Sequence, residues 1–352
     1  MKSYDVCECG APLRLVERPT PQPRGTEVLL KVLAAGVCHS DLHIWDGYYE
    51  LGGGKRMNLL ERGIRLPLTM GHENVGEIVA AGPEAKDVKI GARVLAHPWI
   101  GCGACKVCKR GEENLCLTPK NLGVFSNGGY ADYLTVPHPR YLFDAGDIPS
   151  EKLAPLACSG VTAYGALKKV GPSLTEEPVV IIGAGGVGLM GVALLKAMGG
   201  KGAIVVDVDP VKREAAVKAG AIAAVDGKAP DAARQVVEAT QGGAWAVIDF
   251  VGSSQTVRLG VDSLIKGGRL IVVGLFGGDI TISTPVFPMR AMTIMGSYVG
   301  SLPEMAELLD LVRKKGLPPV PVATRPLDQA NAALNDLRAG KVVGRVVLTP
   351  AG

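Results

Sequence analysis

The chain changes its hydrophobic rhythm once along its length. Up to about residue 150, short apolar runs are bounded by Gly, Pro and charged residues: VLLKVLAAGV (28–37), NVGEIVAAG (74–82), ARVLAHP (92–98) and YADYLTVP (130–137). Runs of this length and β-branched content predict strands. The segment LGGGKRMNLLERGIRLPLT (51–69) is polar and marked by glycines, and it predicts a long loop with a short helix. From about residue 158, β-type runs alternate with helical patterns. VVIIG (179–183) precedes VGLMGVALLKAMG, AIVVDVD (203–209) precedes PVKREAAVKAG, AWAVIDFVG (244–252) precedes SQTVRLGVDSLIKGG, and RLIVVGLFGG (269–278) follows. That alternation predicts an α/β class with a doubly wound parallel sheet. Two helical patterns, PEMAELLDLVRKK and LDQANAALNDLRAG, and a closing strand, GRVVLTP, end the chain.

At 352 residues the chain can fill two domains with full-sized cores. The net charge of +4 is mild and the basic residues are scattered, which argues against nucleic acid as the main partner. The N-terminus, MKSYDVCECGAPLRLVERP, has no apolar signal region. The longest apolar stretch, 179–198, is broken by glycines and Lys196, so no membrane span is predicted. Eight cysteines without an export signal predict metal ligands before disulfides, and a cytoplasmic enzyme.

Gly183-Ala184-Gly185-Gly186-Val187-Gly188 fits G-x-G-x-x-G directly after a β-type run and at the opening of an apolar helix. Gly183 would permit the tight turn, Gly185 the approach of backbone to a pyrophosphate, and Gly188 close helix–strand packing. The helix N-terminus offers free N–H groups to phosphates. Asp207 ends the next strand, where a carboxylate binds ribose hydroxyls and repels a 2′-phosphate, so NAD is favoured over NADP. A Gly-rich turn with Asp207 as a helix cap would read similarly without a nucleotide.

Cys102, Cys105, Cys108 and Cys116 have the spacing C-x2-C-x2-C-x7-C. Four thiolates on one Gly-rich loop can enclose a zinc ion tetrahedrally. An iron–sulfur run begins the same way but continues x3-C-P, whereas Leu117 follows Cys116 here. A four-ligand site is closed, so the chemistry belongs elsewhere. GVCHSDLH (36–43), GHENVG (71–76) and PLACSGVTAYGAL (155–167) supply Cys38, His72 with Glu73, and Cys158. Spacing alone does not join these three segments: a buried free cysteine or a packed histidine is the ordinary reading of each.

GVCHSDLH, GHENVGEIVAAG, the four-cysteine loop, LACSGVTAYGAL and GAGGVG…VVDVD stand in the order found in zinc-dependent medium-chain alcohol dehydrogenases, which the whole chain resembles. The segment 51–69 and HPWIGCGAC look most like the microbial and archaeal NAD-dependent branch. The resemblance implies a Rossmann NAD domain (158–300) and a β-rich, GroES-like catalytic domain built from 1–157 and 301–352. It implies a catalytic zinc on Cys38, His72 and Cys158, with Glu73 as an occasional ligand, and a structural zinc on the four-cysteine loop. Asp41 would orient His72, and Ser40 and His43 would relay the alcohol proton. His39, Lys212 and Arg345, with Gly183, Gly185, Gly186, Val187, Gly188 and Asp207, would contact NAD. Trp99 and Trp45 are the candidate pocket walls, either of which could instead be a core aromatic. The implied reaction is reversible hydride transfer between a primary or secondary alcohol and NAD by a homo-tetramer, a homo-dimer being the alternative. A non-enzymatic nicotinamide-binding protein on the same fold is the rival reading, disfavoured by the intact ligand and relay residues. Cys7, Cys9, His97 and His138 match no motif.

Overall fold

The computed structural model describes residues 1–316 and 318–350. Six strands, Val179–Ile182, Ala203–Asp207, Ala221–Asp226, Ala244–Asp249, Leu264–Val272 and Thr293–Gly296, form one sheet in which every neighbouring pair is parallel. Counted in chain order, the strands lie 3-2-1-4-5-6. Strand order therefore reverses between Val179–Ile182 and Ala244–Asp249, where such sheets open a crevice at their carboxyl ends. The strand Val179–Ile182 is buried throughout, as expected of a strand covered on both faces. The Gly-rich turn leaves this strand and enters the helix Gly186–Ala197, buried from Gly188 to Leu195.

The second large sheet is mostly antiparallel and carries Val28–Val37, Glu73–Ala81, Arg93–Ala96, Tyr133–Val136 and Leu142–Asp144. The last strand, Arg345–Thr349, pairs antiparallel with Val28–Val37, so both ends of the chain build this sheet. The helix Leu302–Lys315 is opened by a Ser301–Glu304 capping box. It buries Met305, Leu308, Leu309 and Val312 at i, i+3, i+4 and i+7, and packs on the helix Ser159–Lys168.

The segment 51–69 departs from expectation. It contains no helix; Tyr48–Gly52 and Lys55–Asn58 form an antiparallel hairpin, and Leu68–Thr69 pairs with Lys2–Val6. Gly52, Gly53 and Gly54 all take positive φ (86°, 57° and 74°), a turn that only glycine enters without cost, and that turn decides the hairpin. The hairpin end meets the loop after Leu264–Val272: a Cβ on Gly52 would lie 2.7 Å from the carbonyl carbon of Gly278. The strand Ala221–Asp226 and the helix Ala232–Ala239 were not picked out in the sequence; that strand lies at the sheet edge and alternates between buried and exposed.

Two predictions follow from packing. A Cβ on Gly188 would lie 1.8 Å from the Gly183 carbonyl oxygen, whereas one on Gly185 meets nothing within 4 Å. Gly188→Ala should cost about 1–3 kcal/mol in urea unfolding, and Gly185→Ala should leave the unfolding midpoint unchanged. His97 is fully buried, with its ring edge-on to Phe143 and no partner for either nitrogen, and burial pushes its pKa down to about 3. Unfolding restores a value near 6.5, so this stabilisation is complete above about pH 6.5 and is lost as pH falls toward the folded value. Between pH 6.5 and 4, His97→Leu should lose less stability than the wild type.

Candidate active site

Cys38 ends the strand Val28–Val37 and caps the helix His39–Asp46, where its backbone N–H donates to Asp41 Oδ2 at 2.9 Å. His72 enters the strand Glu73–Ala81, and Cys158 precedes the helix Ser159–Lys168. The fold brings the three together: their ligand atoms lie within 4.8 Å of one another, with the two sulfurs 3.9 Å apart, and all three residues are buried. His72 Nδ1 faces Asp41 Oδ1 at 3.1 Å, and Nε2 is buried without a protein partner. Tyr130 donates its hydroxyl to Asp41 Oδ2 at 2.8 Å.

The hydrogen bond from Cys158, aided by His72, holds Cys38 well below the ordinary thiol range. The same bond and burial push Cys158 up, so the pair favours one thiolate. Two sulfurs and an imidazole whose second nitrogen rests on a carboxylate form a three-donor set that fits zinc with one position left for another ligand.

Glu73 does not join this group. Its Oε2 is ion-paired with Arg345 and its Oε1 accepts the Ser159 N–H at 3.2 Å. Burial pushes Glu73 up to about 7 even with Arg345 beside it. Arg345 in turn lies against the Gly-rich turn, since a Cβ on Gly186 would sit 2.5 Å from its Cδ.

The four-cysteine loop also closes on itself. Cys105 Sγ lies 3.4 Å from Cys108 Sγ and 3.8 Å from Cys116 Sγ, and Cys102 Sγ lies 4.0 Å from Cys108 Sγ. A tetrahedron of sulfurs about 2.3 Å from zinc has edges of about 3.8 Å. Backbone N–H groups of Cys102, Cys105 and Thr118 donate to these sulfurs, and backbone donors lower Cys102 to about 6. Every cysteine in the chain is free.

The family profile described as "Alcohol dehydrogenase GroES-like domain" matches residues 24–147, and that described as "Zinc-binding dehydrogenase" matches 186–314. A protein of Sulfurisphaera tokodaii named NAD-dependent alcohol dehydrogenase is 38% identical over 99% of this chain and 100% of its own. The chain belongs to the zinc-type alcohol dehydrogenase family. A Saccharolobus solfataricus relative, named D-arabinose 1-dehydrogenase (NADP(+)), is 33% identical over 96% of this chain and 95% of its own. The crystal structure of the Aeropyrum pernix alcohol dehydrogenase superposes with a TM-score of 0.89 at 34% identity, covering 99% of this chain and 100% of that one.

Ser40 and His43 lie on the helix His39–Asp46. The His43 ring stacks on Tyr49 at 4.5 Å, and burial together with His39 lowers it to about 4. His39 lies 5.7 Å from His43, and burial lowers its pKa; the charges of Lys212 and Arg345 act in the same direction. Asp207 accepts the Ala184 N–H at 2.6 Å and the Asp209 N–H at 2.8 Å; the cap of the following helix is Asp209. Val187 opens that first apolar helix beside Gly186. Trp99 packs 5.4 Å from His72 and 6.1 Å from Tyr298.

Trp45 is not brought to this pocket. It is buried in the antiparallel-sheet core, its indole N–H on the Ala11 carbonyl and Arg338 over its ring at 4.2 Å. The sequence reading passed over Tyr49, Tyr130 and Tyr298. Tyr49 sits in the segment next to the expected loop, and the other two lie in no ligand motif. Tyr130→Phe removes one of the donors that hold Asp41. It should weaken metal binding at the Cys38–His72–Cys158 set about tenfold in chelator competition, with the fold intact by circular dichroism.

Proposed function

We infer that the protein is a zinc-dependent alcohol dehydrogenase that transfers hydride reversibly between a primary or secondary alcohol and NAD, giving an aldehyde or ketone. The observation that carries this reading is the buried Cys38–His72–Cys158 set with its unpartnered imidazole nitrogen, in a chain that also carries the Gly-rich turn. Bound there, zinc would supply Lewis acidity to a substrate oxygen, and NAD at the Gly-rich turn would supply the hydride acceptor. Asp41 fixes the His72 tautomer, and Tyr130 fixes Asp41. His43, kept neutral by burial, can accept a proton passed along from Ser40. Tyr49, Trp99 and Tyr298 give the pocket aromatic walls, which suit medium-sized apolar alcohols, aromatic ones included.

The four sulfurs of the cysteine loop would hold a second zinc, in a structural role. NAD is preferred to NADP because Asp207 puts a fixed carboxylate at the turn. The neighbouring Arg213 is engaged with the Asp207 carbonyl and Asp226. Residues 1–157 with 301–352 form the catalytic domain and 158–300 the NAD domain. The helix Leu302–Lys315 begins just past that boundary and packs back on the NAD side. A homo-tetramer is supported by the sheet-edge strand Thr293–Gly296 and by exposed Phe287 and Met289 beside it. Free cysteines support a cytoplasmic setting, and no helix among the described residues is long and apolar enough to cross a membrane.

The test is the rise of reduced-nicotinamide absorbance with zinc-replete protein over aliphatic, benzylic and polyol alcohols, with NAD and NADP in parallel. Turnover should require NAD, favour apolar alcohols, and fall to background in Cys38→Ala, which should still bind NADH. Turnover confined to polyols or sugars would overturn the substrate class.

A further inference from the structure

We propose that Asn114 is a positioning residue that ties the four-cysteine loop to the Tyr298–Val299 peptide and thereby sets the wall of the substrate pocket. The proposal rests on the dehydrogenase reading and extends it to a residue in no ligand or cofactor motif.

Three observations carry it. First, Asn114 Nδ2 donates to the Tyr298 carbonyl oxygen at 3.0 Å, across 184 residues of sequence. The other end of the amide, Oδ1, is buried without a partner, so this contact is the hydrogen bond that the side chain makes.

Second, the peptide it grips precedes a strained residue. Val299 has φ +43°, a left-handed conformation that a β-branched side chain enters only when its surroundings impose it. The Tyr298 carbonyl belongs to the peptide plane about which that φ is measured, so a donor on this oxygen acts on the strained torsion itself. The far side of the segment is clamped as well: Val299 is buried, and a Cβ on Gly300 would lie 2.3 Å from Val161 Cγ2. Upstream, the Ser297 N–H donates to the Val272 carbonyl at 2.9 Å.

Third, the loop that holds Asn114 is stiff and reaches the pocket from its other end too. Glu113, the residue before, is buried and accepts the Tyr141 hydroxyl at 2.6 Å and Arg140 at 3.1 Å; Cys116 lies two residues on, within the sulfur cluster. Trp99, three residues before Cys102, is pinned by its indole N–H to the Ala157 carbonyl at 3.2 Å, and its ring packs 5.4 Å from that of His72 and 6.1 Å from that of Tyr298. Of the two aromatic residues, Tyr298 is tied to the cysteine loop through Asn114, and Trp99 stands just before that loop in the chain. That loop carries none of the three donors of the Cys38–His72–Cys158 set.

Asn114→Asp tests this with almost no change of shape, because an oxygen replaces the donating nitrogen; Asn114→Ala is the second variant. In the full-length protein, hydrogen exchange of peptides covering 295–303 should rise in both variants, while peptides covering the cysteine loop, and its metal content, stay at wild-type values. Kinetically, kcat/KM for a benzylic alcohol that reaches Tyr298 should fall roughly fivefold through KM, and that for ethanol by no more than about twofold. Unchanged exchange at 295–303, or an equal loss for both alcohols, would overturn the proposal. If the wild type oxidises neither alcohol, the functional reading fails, and the exchange result alone decides the role of Asn114.

Discussion

The buried ion pair between Arg345 and Glu73 is the contact on which the rest of the arrangement hangs. Arg345 comes from the last strand of the chain, and Glu73 follows His72 at the head of a strand in the same sheet. The second carboxylate oxygen takes the N–H of Ser159, which follows Cys158, and the guanidinium lies against Gly186 at the start of the Rossmann helix. One pair thus joins four segments: two that carry metal donors, the chain end, and the cofactor turn. Removing one partner from such a pair leaves an uncompensated buried charge, which typically costs 3–5 kcal/mol.

That geometry explains how much was legible beforehand. Local features were readable because their physics is local. The four cysteines of 102–116 sit on one loop, and the Gly-rich turn sits between one strand and one helix. The central parallel strand Val179–Ile182 reads as a continuous apolar run because both faces are covered. Where a residue's surroundings were not legible, the contact comes from far along the chain. Glu73, expected as an occasional metal ligand, rests in this structure on a partner 272 residues away. Trp45 looked like a pocket wall from its place after His43, but Ala11 and Arg338 hold it in the core. The hairpin at 48–58 was misread for a different reason. Three glycines read as loop punctuation, whereas their consecutive positive φ values make a turn.

The two cysteine clusters differ in what holds them. The loop cluster is organised by its own backbone, whose N–H groups point at the sulfurs, so its geometry depends little on the rest of the fold. The Cys38–His72–Cys158 set has no such local support. Cys38 and His72 share Asp41, and Asp41 depends on Tyr130 from a fourth segment. A dispersed set held by carboxylate and phenol partners can leave one position open. A set wrapped by a single loop closes on its metal. The sequence spacing that made the first cluster obvious is therefore also what closes it on itself.

Burial completes the argument. His72 and Cys158 are withdrawn from water, and an imidazole nitrogen there has no protein partner, an arrangement that costs stability in the bare chain. Folded proteins keep such a nitrogen where something else satisfies it, and a metal ion does so while repaying part of the folding cost. Val299, whose strained backbone lies one residue beyond Tyr298, is a second place where the fold holds an unfavourable arrangement. The rings of His72 and Tyr298 both pack against Trp99, and the unsatisfied nitrogen and the strained backbone beside them are places where the fold gives up stability. The rest of the molecule, two sheets with saturated cores, supplies the stability that lets it do so.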